Sequence, residues 1–268
     1  TGLTMMIRRR FTAGALAALL VPRARAADTA RAAAELGSSG RLRAAINFGN
    51  PILATRGADG KPQGLSVDLA RMAAAGLGLE LELVTFDSAG QVVEAATAAR
   101  VDMAFVAIDP QRGAGLDYTP PYVIIEGAYL VRADSPLQRN EQVDRAGIRV
   151  AVGRGSAYDL FLGRTLKAAT LVRAPTSPLV TDTFLAEGLD VAAGVRQQLE
   201  ADARRLADRA ALRLLPGRFM EIDQAIAVPK GRAAAQAWLA GFVEQMKLSN
   251  FVALSLRRHG VEGATVPP

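Results

Sequence analysis

The chain of 268 residues contains no cysteine, one histidine and one tryptophan, and aromatic residues make up only 5% of it. The lack of cysteine excludes disulfides, thiolate metal sites and a cysteine nucleophile together. The single histidine, His259, stands beside Arg257 and Arg258 near the C-terminus. It reads as a solvated helix-end residue that complements the helix dipole. That leaves no histidine for a Ser-His-Asp arrangement or a zinc site. No apolar run reaches the roughly 20 residues that a bilayer-spanning helix needs. A domain without disulfides must be held by its core, and roughly 240 residues beyond the leader suffice for one large or two smaller lobes.

The leader is residues 1–26. It has three consecutive arginines (Arg8, Arg9, Arg10), a short alanine/leucine stretch (Ala13–Val21) and then Ala24-Arg25-Ala26. A charged segment, an apolar segment and a small-x-small site predict a secretory signal peptide cleaved near Ala26–Ala27. Arg9-Arg10 before Phe11 also fits twin-arginine export. Residues 27–40 are alanine-rich, end in Gly37-Ser38-Ser39-Gly40 and read as a loose lead-in. Setting aside Arg8, Arg9, Arg10, Arg23 and Arg25, the 32 lysines and arginines fall to 27, against 26 acidic residues. A nearly neutral mature chain offers no electrostatic argument for nucleic acid as a partner.

Beyond the leader, short strands alternate with helices. Arg41–Asn47 reads as a strand and Arg56–Gly64 as a hairpin with Asp59-Gly60 at its tip. A helix capped by Ser66 follows, with Val67, Leu69, Ala70, Ala73, Ala74 and Leu77 on one face. Leu79–Phe86 alternates by two, Gln91–Ala99 is helical, and Val101–Ile108 is a buried strand. After Arg132–Arg145 the pattern restarts with Ile148–Val152, a glycine turn and a helix over Ala157–Lys167. Strands linked by helical crossovers predict mainly parallel sheets. The expected architecture is two α/β lobes joined by strands near 127–131 and 224–228, with the ligand cleft between them. Lobe 1 takes residues 41–130 and 224–268, and lobe 2 residues 131–223.

Gly153-Arg154-Gly155-Ser156 follows a strand and opens a helix, as a dinucleotide fingerprint would, but its third glycine falls at Tyr158. What survives is a helix N-terminus with Ser156, suited to an anion or serving as an ordinary cap. Asn47 and Asn50, just past the first strand, are turn formers or polar cleft residues. Asp68 reads as a first-turn helix acid, and the arginines of 196–209 as a solvated helix face. Arg112 is the sharpest feature. It lies in the turn after a buried strand, and its planar fork can hold a carboxylate bidentately.

Several ordered segments resemble the bacterial extracellular solute-binding proteins of family 3, the polar amino-acid receptors of ABC importers. Gly64-Leu65-Ser66-Val67-Asp68-Leu69 resembles the family's G-x-x-[VI]-D-[LI], and Arg100-Val101-Asp102-Met103-Ala104 its G-x-[VL]-D segment. Ile108-Asp109-Pro110-Gln111-Arg112 with Asp117-Tyr118-Thr119-Pro120-Pro121-Tyr122 is similar to its I-T-x-x-R and F-S-x-P-Y pieces. Gly147–Gly155 and Leu189-Asp190 match segments of its second lobe. The resemblance implies a type II periplasmic-binding-protein fold, no cofactor, and an inner-membrane ABC permease as partner. It also implies that Arg112 binds a ligand carboxylate, that Ser156 helps hold it, and that Asn47 lies at a polar cleft position.

Departures from the family pattern bear on the ligand. The usual threonine is Asp109, two hydroxyl-bearing positions are Phe105 and Ala107, and an aromatic is replaced around Asn50-Pro51. Where the second lobe often presents an aspartate to the ligand ammonium, this chain has Val195. Asp109 or Glu126 would have to supply the missing charge, or the ligand is a carboxylate without a free amine. The alternatives are an enzyme on the same scaffold, similar to cyclohexadienyl dehydratase, or a sensory receptor for a membrane partner.

Overall fold

The computed structural model describes residues 20–37 and 39–268. Helix α1 (Leu20–Leu36) leads into β1 (Arg41–Asn47), the hairpin β2 (Thr55–Arg56) and β3 (Pro62–Gln63), and helix α2 (Leu65–Leu77). Strand β4 (Glu80–Phe86), helix α3 (Ala89–Thr97), β5 (Met103–Ala107) and β6 (Leu116–Tyr118) complete the first unit. The long strand β7 (Val123–Arg132) leaves it for β8 (Arg149–Gly153), α4 (Ala157–Thr165), β9 (Thr170–Ala174), α5 (Val180–Ala186), β10 (Val191–Val195), α6 (Arg196–Arg205) and β11 (Leu212–Leu214). A second long strand, β12 (Met220–Pro229), returns to helices α7 (Ala233–Leu248) and α8 (Phe251–Arg258).

One curled sheet runs through both units in the order β4-β1-β5-β12-β7-β10-β8-β9. Each outer third is parallel, β4/β1/β5 on one side and β10/β8/β9 on the other. The two long strands pair antiparallel with each other, from Met220↔Gly127 to Gln224↔Val123. Among the described residues they are the only covalent routes between the lobes, as the expected two-lobe architecture requires. Helical crossovers cover the sheet because each presents an apolar stripe: Val92, Ala95 and Ala96 of α3 pack on Ala45, Ala104 and Val106. Val180 and Phe184 of α5 pack likewise on Ala151 and Ala192.

Three local expectations need correction. The supposed loose lead-in is helix α1, consistent with the helix propensity of an alanine-rich segment. Its Ala32 and Leu36 are fully buried, Thr29 Oγ1 accepts a hydrogen bond from Trp238 Nε1 at 3.1 Å, and Glu35 Oε2 accepts from the Ala235 N–H at 2.8 Å. Glu35 thereby satisfies a free donor in the first turn of α7, whose own N-cap residue Arg232 provides no side-chain cap. Arg8–Arg10 and residues 13–19 of the predicted leader lie outside the described residues. Second, the N-cap of α2 is Gly64, at φ 123°, and Ser66 is buried one residue inside the helix. A Cβ at Gly64 would come within 2.5 Å of the Leu53 carbonyl, so the position demands glycine.

Third, His259 is not a freely solvated helix end. Because α2 and α8 pack together, its Nε2 lies 3.0 Å from Oδ2 of Asp68, which also accepts from Ser255 Oγ at 2.7 Å. Serine, histidine and aspartate do meet here, but with the carboxylate in the middle. The serine hydroxyl donates to the acid and not to the imidazole, so nothing activates it as a nucleophile. A second buried carboxylate, Asp102, accepts from the Arg43 N–H, Nε and Nη2 at 3.0, 2.9 and 2.9 Å and from Arg232 Nη1 at 3.0 Å. It joins β1, β5 and the start of α7.

Candidate functional site

The strand ends of both lobes converge on a cavity of about 30 Å³. Strand β1 delivers Asn47, β5 delivers Val106 and Ala107, β10 delivers Val195, and the turn after β8 delivers Ser156. Ligands of open α/β sheets bind at such carboxyl ends of strands. The volume holds about two water molecules.

Arg112 lies in a short 3-10 turn beyond β5 and is 5% exposed. Its Nη1 donates to the Ala107 carbonyl at 3.2 Å, and its Nη2 reaches across the cleft to the Gly155 carbonyl at 2.9 Å. Burial pushes its pKa down, while the neighbouring Tyr118 and Asp109 push it up. A guanidinium stays protonated under such pressure. Burial also raises the Tyr118 phenol to about 12, so that group is neutral and does not balance the charge. Among the described residues no carboxylate forms an ion pair with Arg112. A buried cation bonded only to carbonyls gains most from an anion brought to it.

Ser156 caps α4, its Oγ accepting from the Asp159 N–H at 3.1 Å, and it also lines the cavity. Asp159 in turn accepts from the Gly155 N–H at 2.9 Å and from Arg173 Nε at 2.9 Å. Asn47 combines both of its readings as well: its Oδ1 accepts from the Gly49 N–H at 2.8 Å, shaping the turn, while the residue borders the cavity. Asn50 is 7% exposed, and neither its Oδ1 nor the hydroxyl of Tyr158 across the cleft has a partner among the described residues. Both are lining groups with hydrogen-bonding capacity to offer.

Not every residue singled out in the sequence reaches the cavity. Phe105 turns into the core, with its ring edge-on to Tyr122 at 6.0 Å, because it sits two residues short of the strand end that opens onto the cleft. Asp109 is buried, but Oδ2 receives Arg164 Nη2 from the other lobe at 2.8 Å and Oδ1 receives the Gln111 N–H at 2.8 Å. Glu126 is held by Arg196 Nε at 2.8 Å and Arg218 Nη1 at 3.3 Å. Arg196 is thus drawn off the solvated helix face on which its spacing placed it. Neither acid lines the cavity.

Gln224, Tyr158 and Ser177 line it without having been singled out as binding residues. The signal for Gln224 was a polar side chain directly before the apolar run Ala225–Val228 in a connecting strand. In the sequence, Tyr158 is marked only by standing where a dinucleotide fingerprint needs its third glycine. Ser177, whose backbone and hydroxyl crowd Gly153, left no sequence signal. The lobes also touch where Gly155, at φ 68°, approaches Gly90 of α3: a Cβ on Gly155 would lie 3.3 Å from the Gly90 Cα.

The cavity lies where strand ends of the two lobes meet, and the sequence carries a family signature. Residues 42–259 match the model of the bacterial extracellular solute-binding proteins, family 3. The chain belongs to that family. No curated protein matches it at the sequence level. Among solved structures it is similar to the solute receptor for L-cysteine of Neisseria gonorrhoeae, at 21% identity over 86% of this chain and 95% of that one, with a TM-score of 0.75. It is also similar to a mutant of ArgBP from T. maritima, at 20% identity over 85% and 99% of the two chains and a TM-score of 0.73. A histidine kinase sensor domain with similarity to periplasmic binding proteins matches at 22% identity over 85% and 98%, with a TM-score of 0.72. At such identities these structures establish a common fold, the type II periplasmic-binding-protein fold. No helix among the described residues is long and apolar enough to cross a membrane.

Proposed function

We propose that this protein is a periplasmic receptor that captures a small carboxylate-bearing metabolite between its lobes and presents it to an ABC permease in the inner membrane. The single observation that carries this reading is Arg112: a buried guanidinium at a cavity between two lobes, bonded to carbonyls and to no acid. A ligand carboxylate would take the place of the Gly155 carbonyl on Nη2, with Ser156 and Asn47 completing the polar wall. In a site closed to water each of these contacts strengthens. Strands β7 and β12 are the hinge about which the lobes would part to admit ligand. A permease that recognises the closed surfaces would then respond to the ligand-loaded form.

Membership of a solute-binding family and likeness to receptors for amino acids support binding over catalysis. So does the fate of the two acids that could have served as a general acid or base, since Asp109 and Glu126 are both held by arginines. The test is calorimetric titration of native protein and Arg112→Ala with a panel of amino acids and organic acids. Native protein should bind at least one carboxylate, and the variant should lose that binding while keeping its ligand-free melting temperature within a few degrees. Unchanged affinity in the variant would overturn the clamp.

A further inference from the structure

The cleft's charge inventory is lopsided. Arg112 is the only charged residue that lines the cavity, among the described residues. Each acid near it is already committed: Asp109 to Arg164, Asp159 to Arg173, and Glu126 to Arg196 and Arg218. The group around the clamp, Arg112, Arg164 and Asp109, therefore carries one positive charge in excess. From the second lobe the cavity is lined by Ser156, Ala157, Tyr158, Ser177 and Val195, none of which carries a charge.

From this inventory, and resting on the receptor reading above, we infer that the ligand is a small monocarboxylate without an ammonium group, a 2-hydroxy, 2-oxo or unsubstituted acid, and not a zwitterionic amino acid. Such an anion neutralises the excess charge. A zwitterion would leave it standing and would bury an ammonium in a cavity whose lining, among the described residues, holds no acid, which is costly away from water. A dicarboxylate would bury a second anion without a second cation. The free polar groups fit the same class: the unpartnered Asn50 Oδ1 and Tyr158 hydroxyl, with Gln224, suit a neutral hydroxyl or carbonyl substituent. Beside the polar Asn47, Ser156 and Ser177, the wall includes small and aliphatic side chains, Ala107, Ala157, Val195 and Ile222, which suit a short aliphatic chain.

Matched ligands test this on the native protein by calorimetry: alanine, lactate, pyruvate and propionate on a three-carbon skeleton, then leucine with its 2-hydroxy and 2-oxo counterparts. The expected result is that within a skeleton the hydroxy or oxo acid binds at least about tenfold more tightly than the amino acid, the size of one lost charge-assisted bond. A tighter amino acid would overturn the inference and leave the carboxylate clamp standing, provided Arg112→Ala still abolishes binding. Binding of none of these carboxylates at millimolar concentration would overturn both. Val195→Asp gives an independent readout, since it supplies the missing counter-charge. It should shift the preference toward the amino acid by about tenfold or more, and an unchanged preference in a variant with native circular dichroism would count against the inference.

Discussion

Nη2 of Arg112, on one lobe, donates to the carbonyl of Gly155, on the other, at 2.9 Å. The same fork that would clamp a carboxylate therefore also bonds the two lobes to each other. Replacing it by lysine should not be conservative. An ammonium is a point charge that cannot bond Ala107 and a second acceptor in one plane. Arg112→Lys should weaken ligand binding by about 10–100-fold, the equivalent of one to two charge-assisted bonds. Titration calorimetry against the best native ligand checks this, and an affinity within threefold of native would show that charge alone suffices.

A second bridge across the cleft joins Asp109 Oδ2 to Arg164 Nη2 at 2.8 Å. Asp109 is 4% exposed, so removal of Arg164 leaves a buried carboxylate without its cation. Parting the lobes relieves that cost by admitting water. Arg164→Ala should therefore be more open in solution, with a larger radius of gyration by small-angle scattering. If the closed population falls tenfold, apparent ligand affinity falls by about the same factor. Identical scattering curves for native and variant would remove this pair as a closure contact.

How much of this was legible beforehand follows from the range of each contact. Arg112 stood out because one arginine in the turn after a buried strand is a local pattern, and the alternation of strand and helix is local too. The two connecting strands were legible as apolar runs without helical periodicity. The partners of Asp109 and Glu126 were not, since Arg164 and Arg196 lie 55 and 70 residues further on and meet them only through the folded arrangement of the lobes. That Phe105 lies off the cavity is not legible, because alternation tells which face of β5 a residue takes, but not how far along the strand the cleft begins. Helix α1 is not legible because Gly37-Ser38-Ser39-Gly40, directly after it, is loop-forming in composition. What orders it is its contact with α7, some 200 residues away.

The glycine contact between lobes yields a paired prediction. Gly155 has φ 68°, where an L side chain costs about 1–2 kcal/mol. Its Cβ would also press on the Gly90 Cα at 3.3 Å. Gly155→Ala should therefore lower stability and weaken ligand binding together. Gly90→Ala reaches the Gly155 Cα only at 3.7 Å, an ordinary contact, and sits in helix α3. It should leave binding nearly intact and, lying in the first turn of α3, raise stability by less than the roughly 0.5–1 kcal/mol of a mid-helix glycine. Chemical denaturation and calorimetry on both variants would check the contrast, and equal effects would show that the contact between lobes, which both share, and not the strain peculiar to Gly155 governs the position.

Asp102 gives the molecule an acid-sensitive joint. Burial pushes its carboxyl up, but hydrogen bonds from the Arg43 side chain and backbone and from Arg232 outweigh this and hold it below the usual carboxylate range. In the unfolded chain it titrates at about 3.9. A group depressed on folding adds stability above the unfolded value, and that stability is lost as pH falls through the folded value. Unfolding free energy from urea titrations should therefore be flat in this group's contribution above about pH 5 and decline below about pH 4. Asp102→Asn should be less stable than native at pH 7, and the gap should narrow toward pH 3. Asp102→Ala, which leaves Arg43 and Arg232 without their shared anion, should cost about 3–5 kcal/mol at pH 7. A constant native-to-asparagine gap across that pH range would show that the charge on Asp102 contributes nothing to the joint between β1, β5 and α7.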